Sequence, residues 1–152
     1  MSYIAAEARQ ELLDEVAKAI DELAVALAAL GDAYDQLDER SADTLEEELF
    51  RPVQSAYGRA KRTHTEFAAR HALPPRSFAS APSGAASHGV KGFLEVAVEA
   101  VEESDSLLGE LQDSMAPVEV GDPELRAGLA EVRQTLAAVT PRAAHFVSRF
   151  GR

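Results

Sequence analysis

The chain has 152 residues, no cysteine, and 26 acidic side chains against 15 lysines and arginines, for a formal net charge of −11. That length suits one domain with a real core. The missing cysteines exclude a disulfide framework, a thiolate nucleophile, an iron–sulfur cluster and a thiolate zinc site. The opening stretch MSYIAAEARQELLDEVAKAI pairs no basic leader with an apolar run, and no uncharged apolar run reaches membrane-spanning length, so a soluble, cytoplasmic protein is expected.

Apolar residues at Leu13, Val16, Ile20, Leu23, Leu27, Leu30, Tyr34 and Leu37 alternate steps of three and four. This heptad stripe predicts a first helix over about 3–39. Leu49, Val53, Ala56, Ala60, Thr63 and Phe67 continue the rhythm in a second helix over 43–71. Thr44 and Glu47 stand at capping-box spacing at its start. Pro52 should break or kink it, because proline removes one helical hydrogen bond and clashes with the preceding turn. Residues 72–87, rich in proline, serine, alanine and glycine, read as a flexible loop. The third stripe, from Val90 through Leu94, Ala97, Val101, Ser104, Leu108 and Leu111 to Met115, predicts a helix over 88–115. Within it Ser104 is placed to bond the carbonyl one turn back. The fourth, over 123–150, opens with Asp122 as N-cap and Pro123 at the first helical position, then carries Leu125, Leu129, Val132, Leu136, Val139, Ala143, Phe146 and Phe150.

Four stripes without strand signals define an all-α fold, a single four-helix-bundle domain over 1–152 with antiparallel helices. At roughly 3.3 Å per extended residue the 72–87 loop is long enough for two topologies. One is a plain up-down-up-down bundle; the other is a crossover bundle whose third helix runs parallel to the second. Charge favours the first. Residues 1–50 carry net −11, residues 51–91 net +6, residues 92–125 net −10 and residues 126–152 net +4. In the up-down square each helix adjoins two of opposite sign, whereas the crossover sets like against like.

The same alternation leaves no continuous positive face, so no nucleic acid partner is expected, and the acidic faces would be repelled by anionic lipid, so no membrane partner either. In the up-down arrangement His64, His71, His88 and His145 fall at one end, which makes His64, His71 and His88 the candidates for a metal. Neither Glu-x-x-His, His-x-x-x-His nor His-Glu-x-x-His occurs, and the plainer reading makes His64 and His71 boundary residues reaching water or a neighbouring helix. No catalytic constellation and no cofactor are indicated. The acidic DQLDERSADTLEEE reads as the solvated end of a hairpin, since it lacks the glycine of a calcium loop.

Helices 1 and 3 carry more apolar surface than one core needs. Val25, Ala28 and Ala29 lie off the first stripe, and Phe93, Val96 and Leu107 flank the third. These six residues are the expected interaction surface for a protein partner or a homodimer; the competing reading is that the alanines serve helix propensity and that Phe93 and Leu107 widen the internal core. The function expected is therefore a non-enzymatic protein-interaction or self-association module. The alternative is a metal- or small-ligand-binding bundle using the histidine-bearing end.

Overall fold

The computed structural model describes residues 2–82 and 89–150, and every regular element among them is helical. Helix α1 spans Ser2–Asp35, α2 Glu39–Leu45, α3 Arg51–Arg70, α4 Gly89–Asp113, α5 Ala116–Glu119, α6 Pro123–Ala137 and α7 Val139–Phe150. Among the described residues no helix is long and apolar enough to cross a membrane.

The second predicted helix starts earlier than its sequence suggests. Asp38 is the N-cap, accepting the Ser41 N–H at 2.8 Å, while Thr44 bonds the Arg40 carbonyl instead of closing a capping box with Glu47. Pro52 does not divide this helix. The five residues before α3, Glu46–Phe50, widen into a π-helical turn in which the Arg51 N–H bonds the Glu46 carbonyl, so the chain stays helical from Glu39 to Arg70. The wider turn makes room for the proline ring. The Glu48 carbonyl, which a non-proline residue at 52 would have bonded, accepts the Arg142 guanidinium at 3.4 Å. The fourth predicted helix is in two pieces, α6 and α7, meeting at Ala138. Pro141, in the first turn of α7, has no N–H for the Ala137 carbonyl and so cannot continue α6. Asp122 caps α6 as expected, accepting the Leu125 N–H at 2.8 Å.

Contacts between helices overturn the up-down order. α1 makes its most extensive contact with α4; α3 packs on α6 and α1, and α4 also meets α6 and α7. Partners along each seam fix direction. Arg9 donates to the Val120 carbonyl just beyond α5, and Ser104 donates to the Ala19 carbonyl, so α1 and α4 are antiparallel. Arg59 pairs with Glu131 and Arg70 with Asp122, so α3 and α6 are antiparallel as well. The order around the core is therefore α1, α3, α6, α4, with α3 and α4 diagonal and parallel. This is the crossover arrangement, and it does set acidic α1 against acidic α4.

Packing explains why charge lost. Leu12, Ala19, Ala26 and Ala33, seven residues apart, form a fully buried row on α1. Small side chains there let α4 approach closely enough for the Ser104 hydroxyl to reach the Ala19 backbone at 2.9 Å, rather than a carbonyl of its own helix. Burying such rows outweighs exposed like charges worth a few tenths of a kcal/mol each. The cost of the seam is visible at Glu22. Burial first, then the carboxylates of Glu103, Asp21 and Glu99, push it above the usual carboxylate range. On the opposite seam Gly128 brings α6 against α3, where a Cβ would lie 2.2 Å from the Thr63 hydroxyl.

Candidate functional site

The crossover requires the chain after α3 to travel back along the helices. Ala72 takes a left-handed conformation, and the Leu73 N–H closes the end of α3 on the Ala68 carbonyl at 2.8 Å. Residues 73–82 then run as an extended strap over the seam between α1 and α3. Arg76 pairs with Asp21 of α1 at 3.0 Å, and its guanidinium lies 4.8 Å from the centre of the Phe78 ring. Phe78 in turn meets the His64 ring of α3 edge-on, with centroids 5.1 Å apart. The segment expected to be a flexible loop is thus a docked one over 73–82; the rest of that loop, 83–87, lies outside the described residues.

The continuous helical run from Glu39 to Arg70 presents Phe50, Tyr57 and His64, with His71 at its C-cap one further step along, all seven residues apart. Each meets a different neighbour. The Lys61 ammonium sits 4.2 Å from the Tyr57 ring centre. His64 is 3% exposed under Phe78, and its Nδ1 is buried with no hydrogen-bond partner among the described residues. Burial, and secondarily the Arg76 charge, hold His64 below the ordinary histidine range, against a smaller pull from Asp14. His71 packs on Phe67 and bonds Asp122 at 3.0 Å. Asp122 also takes two bonds from Arg70. Its partial burial opposes ionisation, but the Arg70 guanidinium, the Leu125 N–H and the His71 ring together hold its carboxyl well below the usual range.

Phe50, at the far end of the row, is half-buried beside open space. Here α1 and α3 leave two adjoining cavities of about 510 and 430 Å³ that share Ala28, Phe50 and Ala81. The first is walled by Tyr34, Asp35 and Glu46, with Ala28 and Gly31 along α1; a Cβ built on Gly31 meets nothing within 4 Å. Tyr34 is 38% exposed. The strap therefore covers His64 with Phe78 and passes the two cavities with Ser80 and Ala81 on their lining, leaving the space beside Tyr34 and Phe50 unfilled by the described residues.

The histidines do not gather. His64 and His71 lie toward the C-terminal end of α3. His145 lines a cavity with Glu47, Glu48 and Arg142 at the opposite end, because α7 packs on the π-helical turn that precedes α3. His88 lies outside the described residues. Among the described residues no three histidine, aspartate or glutamate side chains converge to hold a metal. His64 is a buried residue, not a boundary one, since the strap covers it.

The expected interaction surface divides. Val25 is 37% exposed and Ala28 lines the groove. Ala29, at 4%, and Phe93, at 2%, belong to the core, and Val96 and Leu107 are partly buried against it. The difference has one cause: α1 and α4 are neighbours, so their apolar rows beyond the heptad stripes cover each other. The open groove itself was not anticipated. The heptad spacing of Phe50, Tyr57, His64 and His71 was the available signal, together with the one aromatic residue, Phe78, in a linker of mostly small residues and proline. Comparison of the chain with protein-family models, curated proteins and solved structures gives no match.

Proposed function

We propose that the protein is a crossover four-helix bundle acting as a non-enzymatic protein-interaction module, with the open length of the α1/α3 groove as its docking surface. The observation that carries this reading is the groove's construction: a cavity of about 510 Å³ between α1, the π-helical turn before α3 and Ala81 of the strap, with the small residues Ala28 and Gly31 on one side and the aromatic residues Tyr34 and Phe50 beside them. Small residues let a partner's backbone approach, and part-exposed aromatic rings supply contact area at low conformational cost. Over His64 the groove is already covered by an extended segment of the same chain, a mode of binding that the open length can repeat.

A photo-crosslinking amino acid at position 31 tests it, because Gly31 lines the groove and a Cβ there meets nothing within 4 Å. Expressed in the native host, the Gly31 variant should yield discrete protein adducts. The same group at exposed Glu102 of α4 should not. Identical adducts from both positions, or none from either, would remove the groove as the docking surface.

A further inference from the structure

We infer that the open end of the groove receives an arginine- or lysine-bearing segment of the partner protein, seated with its cation between the Tyr34 and Phe50 rings and the Asp35 and Glu46 carboxylates. This rests on the groove being the docking surface and adds the chemistry of its occupant.

Two ring–cation pairs already stand along the groove. On α3 the Lys61 ammonium sits 4.2 Å from the centre of the Tyr57 ring. In the strap Arg76 lies against Phe78 of the same segment and meets the Asp21 carboxylate of α1 at 3.0 Å. Both places combine an aromatic ring with a cation, and the second adds an acid from α1. The open end has the rings and the acids: Tyr34, Phe50, Asp35 and Glu46 line one cavity. Among the described residues no lysine or arginine lies over either ring. A guanidinium or ammonium there would gain the ring quadrupole and two carboxylates at once, in a space partly shielded from water.

Charge at longer range acts the same way. Residues 32–48, which surround this end, carry eight acids and one base, so a basic segment is drawn to it and an acidic one repelled. The strap supplies the backbone precedent, because an extended stretch bearing Arg76 and Phe78 already fits between the same two helices.

The test uses the full chain, labelled with ¹⁵N, and a short end-blocked peptide of alternating arginine and serine around one phenylalanine. Its counterpart carries glutamate for each arginine. The arginine peptide should cause saturable amide shifts at Gly31, Tyr34, Glu46 and Phe50, and the glutamate peptide none. The double substitution Asp35→Asn with Glu46→Gln should weaken binding about ten-fold, as should raising salt from low ionic strength to half-molar. Gly31→Trp, which has open space to fill, should abolish it while leaving the thermal midpoint unchanged or higher.

No shifts at these residues, equal shifts with the glutamate peptide, or shifts indifferent to the three substitutions would overturn the inference. So would concentration-dependent shifts without any peptide that the same substitutions abolish, since the occupant would then be a second copy of this chain. The two levels fail separately. Adducts at position 31 whose captured segment is neutral or acidic refute the cation chemistry and keep the groove. Peptide binding with no protein adduct refutes the interaction module and keeps the chemistry.

Discussion

Replacing Gly128 by alanine puts a methyl group where α6 touches α3. The new Cβ would stand 2.2 Å from the Thr63 hydroxyl oxygen, 2.8 Å from its methyl and 3.0 Å from its Cβ. The helices must separate by about an ångström to relieve this, at the upper end of the ~1–3 kcal/mol that overpacking costs. Against it stands ~1 kcal/mol gained from alanine's better helix propensity. The net expectation is a loss of about 2 kcal/mol, or roughly 4–8 °C in the thermal midpoint for a chain of this size.

Thr63→Ala removes the two closest atoms. Alone it loses the bond from the Thr63 hydroxyl to the Arg59 carbonyl at 2.8 Å and some buried contact, about 1 kcal/mol. In combination it relieves the clash, so the double variant should be more stable than Gly128→Ala alone, with a coupling of about 2 kcal/mol. Urea unfolding followed by circular dichroism at 222 nm, on all four proteins, closes the cycle. Additivity within about 0.5 kcal/mol would show that the two positions do not touch and that α3 and α6 are not neighbours.

Three further outcomes follow from the packing and the titrating groups. Ser104→Ala removes the hydroxyl that bonds the Ala19 carbonyl, which keeps its own helical bond, and should cost about 1 kcal/mol in urea unfolding; Ser104→Leu, too large for the close α1–α4 seam, should cost more. His64 titrates below the ordinary histidine range when folded, because of burial and then Arg76, so the unfolded chain takes up a proton that the folded one resists. Stability should fall as pH drops through about 6.5, and unfolding midpoints at pH 7.5 and 5.5 should show that component missing in His64→Gln. Glu22, raised by burial and by Glu103, Asp21 and Glu99, weakens the fold at neutral pH and ceases to do so as it protonates. Glu22→Gln should therefore stabilise by a few tenths of a kcal/mol near pH 7, with the gain shrinking in high salt, as differential scanning calorimetry at two ionic strengths can read.

Local structure was legible in the sequence where one rule acted alone. The heptad stripes, the Asp122 cap with Pro123 behind it, and the core leucines stand where periodicity and capping chemistry place them. The arrangement of helices was not, because two rules disagreed and the weaker was followed. Alternating segment charge argued for one set of neighbours. The surplus apolar rows, Ala29 on α1 and Phe93 on α4, argue for another, and the sequence alone does not separate an outside partner from a wider core as what covers them. Proline was also read without its context. Pro52 is absorbed by a π-helical turn, whereas Pro141 does end a helix. Of the candidate site, Ala28 was legible as a residue off the stripe. The groove was not, since it exists only once the strap is seen to follow α3 back along α1, and nothing local to residues 73–82 except Arg76 and Phe78 announces that path.

Strap, groove and open end all depend on α3 and α4 being parallel and diagonal. Spin labels on exposed Ala69, near the end of α3, and exposed Lys91, at the start of α4, measure this directly by pulsed dipolar spectroscopy. The crossover predicts a separation of roughly 35 Å, about the length of the helical run from residue 46 to residue 69 at 1.5 Å per residue. A distance below about 20 Å, which neighbouring antiparallel helices joined at that end would give, contradicts it and removes the groove along with the topology.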